Sequence, residues 1–164
     1  MARIRADQPL IPSVLDRLLD DEPTATRELP KTRNQVLREL KKSLRRDLEN
    51  LLNTRWRCTS WAEDLEELER SLINYGLPDI TGADLGSAQH REEFRQIVEK
   101  VIQRFEPRFK SVKVAMLGNS EPLDRTLRFR IDALLYAEPA PEPVVFDSAL
   151  EPATGNMEVS GASR

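Results

Sequence analysis

Among the 28 acidic residues of this 164-residue chain, one holds a position with chemical meaning. Glu106 and Arg108 flank Pro107, directly after an apolar series (Phe94, Ile97, Val98, Val101, Ile102, Phe105) that recurs at helical spacing. Proline disfavours helical geometry in the residue before it, so the spacing predicts a helix that stops at Phe105, with an acid and a base displayed on either side of a rigid corner. Two uses fit such a pair. A carboxylate kept protonated in a dry pocket can act as a general acid when a second carboxylate faces it across a sugar bond. A solvated acid and base can instead meet a partner, or only water. The first use needs a second acid, and no sequence feature sets Asp132 opposite Glu106.

Other chemistries find less. Cys58 and His90 are the single cysteine and single histidine, far apart and in no motif that would activate a nucleophile. One cysteine allows no internal disulfide and no cysteine-based metal cluster. No glycine-rich run precedes a helix to cradle phosphate, and no loop alternates acids in the manner of a calcium site. No catalytic residue, cofactor or metal is expected.

The corner must be held by its neighbours. Val36, Leu37, Leu40, Leu44, Leu48, Leu51 and Leu52 predict a long helix over residues 31–53. Its outer face is basic: nine Lys or Arg against three acids between Lys31 and Arg57. That face suits an acidic partner or nucleic acid, or is simply solvated. Ser60 with Glu63 forms a capping box for a second helix to Ile73, with Leu65, Leu68, Leu72 and Ile73 inward and an acidic outer face able to pair with the basic one. A third helix runs from about residue 87 to 104. Strands follow at residues 111–117 and 126–136, pairing antiparallel around the loop 118–122, with Leu127, Phe129, Ile131 and Ala133 inward. The run 138–143, three prolines among acids and alanine, reads as a stiff interruption. Residues 144–146 and 157–159 read as a last, less regular hairpin, frayed from Ser160. Four prolines within residues 1–30 leave room for one short helix, capped by Ser13 and apolar at Val14, Leu15, Leu18 and Leu19. It is too short to be stable undocked.

A net charge of -3 with 32% charged residues provides no whole-chain field for nucleic acid or anionic lipid. Aromatic content of 5% argues against base-stacking platforms, and Trp56 and Trp61 read as core or hinge residues. No apolar run of membrane-spanning length or cleavable leader is evident, so a cytoplasmic protein with no direct membrane insertion is expected.

Several segments match a family in order. The run 104–109 (Arg-Phe-Glu-Pro-Arg-Phe), followed by Val112-Lys113-Val114, resembles the Glu-Pro-Arg corner of the baseplate wedge proteins of contractile injection machines, historically called phage lysozyme-like. The run 12–23, from Pro12-Ser13-Val14 to Asp21-Glu22-Pro23, is similar to the N-terminal signature of the bacterial branch, the TssE subunits of type VI secretion baseplates. Asn53-Thr54-Arg55 and Tyr75-Gly76-Leu77-Pro78-Asp79 fall in that family's order and spacing. The resemblance implies a structural baseplate component that joins other wedge subunits and sheath or tube proteins. It implies partner-binding roles for Glu106, Pro107, Arg108, Leu15, Arg17 and Leu18. The old family name also raises a carboxylate-dependent peptidoglycan hydrolase, and the basic helix 31–57 a nucleic-acid binder. The expected fold is α+β: three main helices packed on a small antiparallel sheet, with an N-terminal docking extension at 1–30 ahead of a wedge-like domain at 31–160.

Overall fold

The computed structural model describes residues 14–19, 32–56, 65, 67–68, 71–79, 87–118, 124, 126–137 and 140–161. Helix α1 spans Val14–Leu18 and α2 spans Arg33–Asn53. In α2, Gln35 Oε1 accepts from the Thr32 backbone N–H at 2.8 Å, closing the first turn, while Val36, Leu40, Leu44, Leu48, Leu51 and Leu52 form one buried stripe. Helix α3 spans Ala88–Phe105 and starts at Ser87, whose Oγ accepts from the His90 N–H at 3.1 Å. Its Phe94, Val98, Val101 and Ile102 are buried.

Strands β1 (Phe109–Leu117), β2 (Leu127–Leu135), β3 (Glu142–Glu151) and β4 (Asn156–Gly161) form one antiparallel sheet in sequence order. Period-2 alternation puts Val114, Phe129, Ile131, Phe146, Leu150, Met157 and Val159 on one buried face. That face packs under α2 and α3 in one core, where Leu44, Leu48, Leu52, Ile102, Phe129 and Ile131 are fully buried. Each such side chain contributes about 2 kcal/mol by leaving water, so the two stripes and the sheet face dominate the stability. The Phe94 and Phe129 rings, 5.7 Å apart, tie α3 to the sheet's centre. Lys113, Arg130, Asp132 and Glu158 lie on the opposite, solvated face.

The architecture is α+β but not the expected three helices on a small sheet: among the described residues, two long helices cover four strands. The end of the anticipated second helix is a single 3-10 turn, Leu72–Asn74, built on i to i+3 bonds such as Asn74 N to Ser71 O at 3.1 Å. That tighter winding does not align the leucine series on one face, and Leu65, Leu72 and Ile73 are exposed. Most of the segment's acids (63, 64, 66, 69), with Cys58 and Trp61, lie outside the described residues, as does the centre of the β1–β2 loop.

The last hairpin is also more regular than expected. Strand β3 starts inside the proline run, at Glu142, and pairs with β2 from Glu142 to Leu150. Pro143 is tolerated because its missing N–H would point to the β4 side, and β4 reaches only as far as Phe146. Pairing on β4 continues through Ser160 to Gly161 rather than fraying at Ser160.

Candidate interaction site

The chain stops its helix at Phe105, as the proline requires, but the corner does not display its charges. Glu106 is 6% exposed, and only Pro107 projects into solvent. Arg108 Nε donates to Glu106 Oε1 at 2.6 Å and its Nη2 to Oε2 at 2.5 Å, a two-pronged pair closed further by the Arg108 N–H on Oε1 at 3.2 Å. The same Nη2 donates to Asp47 Oδ2 of α2 at 2.7 Å. Burial alone would lower the Arg108 pKa, but the Glu106 and Asp47 carboxylates outweigh it and hold the guanidinium more basic than an ordinary arginine. Burial first, then the charges of Asp47 and Glu106, raises the nearby Tyr75 hydroxyl pKa, and the Tyr75 ring meets Phe105 edge-on at 5.4 Å.

Asp47 is also shared with Arg46, whose Nη2 donates to it and to Asp16 of α1, each at 2.9 Å. The Asp47 hydrogen bond is the main reason that the Arg46 pKa is raised. Ser43 Oγ donates to Asp16 Oδ2 at 2.6 Å. One polar line therefore runs Glu106, Arg108, Asp47, Arg46, Asp16, Ser43, joining α3, β1, α2 and α1. Within α1, Leu15 and Leu18 are exposed; the side chain of Arg17 lies outside the described residues.

The C-terminal end of α2 is held differently from its middle. The Asn53 amide donates to Met157 O at 2.7 Å and accepts from Met157 N at 2.8 Å, so one side chain imitates a neighbouring strand on β4. Arg55 donates to Leu52 O at 2.9 Å and to the Gly155 carbonyl in the β3–β4 turn. Leu77 N–H donates to Thr54 O at 2.8 Å and Trp56 N–H to Leu77 O at 3.0 Å. Gly76 permits this approach: its φ is +109°, and a Cβ there would stand 2.3 Å from Thr54 O. Two short sequence matches about twenty residues apart thus form one clasp.

The β1 edge is covered by α3. Arg95 donates to Val114 O at 3.0 Å, Glu99 accepts from Val114 N at 2.9 Å, and Gln103 donates to Val112 O at 3.2 Å.

As chemistry, the corner is poorly built for hydrolysis. Both Glu106 oxygens are engaged by one guanidinium, while Asp132 lies exposed on the outer sheet face, paired across the ladder with Lys113 and Val145. Among the described residues no cluster of three His, Cys, Asp or Glu is arranged to hold a metal ion. Sequence reasoning found Glu106 and Arg108 but missed Asp47, Ser43, Asp16 and the bonding roles of Asn53 and Arg55. One signal was available: Asp47 is one of three acids among nine Lys or Arg between residues 31 and 57.

The family model described as baseplate wedge protein gp25 matches residues 38–140, and the chain belongs to that family, whose members are structural components of a baseplate. The match takes in α2 from Arg38 onward, α3, the corner, β1 and β2; α1, the first turn of α2, β3 and β4 lie beyond it. A solved structure titled "The baseplate complex from the type VI secretion system" contains a similar chain, 20% identical, with a TM-score of 0.48, covering 70% of this chain and 96% of that chain. No curated protein matches.

Proposed function

We propose that this chain is a TssE-type wedge subunit of a type VI secretion baseplate, which joins other wedge subunits and helps to start assembly of the contractile sheath and tube. Family membership across residues 38–140, corner included, carries the reading; the Pro12–Pro23 signature adds the bacterial branch. The role is non-enzymatic and cytoplasmic, without nucleic acid or membrane insertion. Among the described residues no helix is long and apolar enough to cross a membrane.

Contact with partners is assigned to Pro107 at the tip of the corner, with Glu106 and Arg108 setting its shape, and to Leu15, Arg17 and Leu18 of the N-terminal extension. Residues 1–30 act as the docking extension and 31–160 as the wedge domain. A partner strand has one edge better suited to it than the other. The β1 edge is covered by Arg95, Glu99 and Gln103, whereas among the described residues the side-chain bonds to the β4 backbone are at its first two residues, Asn156 and Met157.

Co-expression of the full chain with the baseplate and sheath subunits of one secretion system tests this directly. A wedge subunit co-purifies with other baseplate subunits and leaves peptidoglycan intact. Recovery of the chain alone under conditions where those other subunits assemble, or turnover of peptidoglycan abolished by Glu106→Gln, would overturn it.

A further inference from the structure

The bond between α1 and α2 has an unusual composition. Helix α1 has five residues, too few to persist alone, and its Leu15 and Leu18, with Leu19 just beyond its end, are all exposed. What fastens it is the Asp16 carboxylate, received by the buried Ser43 hydroxyl at 2.6 Å and the Arg46 guanidinium at 2.9 Å, with Arg108 Nη1 3.5 Å behind the serine oxygen. Remove Asp16 and the remaining cluster, Arg46 and Arg108 against Asp47 and Glu106, is neutral. It keeps a hydroxyl and a guanidinium aimed at the vacated place. We propose that the Ser43–Arg46 face of α2 is a carboxylate-receiving site that α1 fills in cis, and that an acidic side chain of a partner subunit takes it over in the assembly, releasing α1 with its leucines. The partner's identity as a baseplate subunit rests on the reading above; the site itself does not.

A carboxylate is favoured over a phosphate. Asp47 and Glu106 stand beside the site, and a second negative charge on the ligand would meet these two carboxylates, which already engage Arg46 and Arg108. Because an occupant in cis lowers apparent affinity by the fraction of time that it vacates the site, the latch also makes capture conditional.

The test uses the full chain carrying Asp16→Ala, followed by nuclear magnetic resonance at the Arg46 Nε–H. A synthetic peptide of residues 12–23 should move that resonance saturably towards its position in the parent. The same peptide with Asp16→Ala should not, nor should either peptide act on a chain that also carries Ser43→Ala. Equal shifts from both peptides, or no saturable shift, would overturn the site. So would an Asp16→Ala chain that no longer folds, since α1 would then belong to the core. In co-purification, Asp16→Ala should strengthen capture of the baseplate partner about tenfold, the effect of opening a latch engaged nine-tenths of the time, while Ser43→Ala weakens it. Equal weakening by both means that α1 is only a staple and overturns the takeover. If the parent captures no baseplate subunit, the functional reading fails, and the peptide titration still decides the site.

Discussion

The middle and the C-terminal end of α2 are fastened by opposite means. At Ser43, Arg46 and Asp47 the contacts are charged and run from side chain to side chain; at Asn53, Thr54 and Arg55 they run mainly to backbone atoms of β4 and the 75–79 segment. The difference matters for assembly. A carboxylate in an ion cluster can be exchanged for another carboxylate, but an amide that spans the N–H and C=O of one strand residue has no substitute of another shape. The cluster beside the corner is therefore suited to binding and the clasp to holding the sheet in place. The family match covers most of α2 and the corner yet stops before β3 and β4, so the clasp fastens the family's shared part to strands outside the matched segment.

The largest break of this contrast comes at the corner. Glu106→Ala leaves Arg108 and Asp47 partly buried with the two-pronged pair gone, and should cost about 3 to 5 kcal/mol in urea unfolding. Sequence reasoning, which expects solvated charges, anticipates about 1 kcal/mol or less. A double variant Glu106→Ala with Arg108→Ala that recovers part of the loss would locate the cost in the orphaned charge; strictly additive losses would argue against coupling. Next is Gly76→Ala. The left-handed backbone and the approach to Thr54 O should together cost about 3 kcal/mol. The damage should appear as faster amide exchange at Leu77 and Trp56, with the corner unaffected. Exchange spreading first to Arg108 would show that the two fastenings are not independent.

The smallest effect is a control for exposed charge. The Arg95 hydrogen bond, helped by Gln96, lowers the Glu92 pKa from 4.5 to about 2. A depressed carboxylate stabilises the fold above its unfolded pKa and loses that contribution as pH falls through the folded value. Glu92→Gln should therefore melt slightly below the parent at pH 7, with the gap closing between pH about 4.5 and about 2. A gap that stays constant on acidification would remove the linkage.

Local pattern was sufficient for some parts of the molecule. The apolar stripes of α2 and α3, the stop at Pro107 and the alternation in β2 are written in residues a few positions apart, because helix and strand periodicity and proline sterics act at that range. The corner's charges were legible as a motif but not in direction. Arg108 turns inward because Asp47 waits on α2, 61 residues away, and the Asn53 amide has meaning only when β4, 104 residues on, is laid beside it. The proline run hid β3 for the same reason: whether a strand tolerates Pro143 depends on which neighbour its missing N–H would have met. From the sequence alone came two helices, a corner and a strand pair, together with the family they resemble. Tertiary structure decided which charges are buried and how each sheet edge is covered, since those bonds join residues that no local pattern relates.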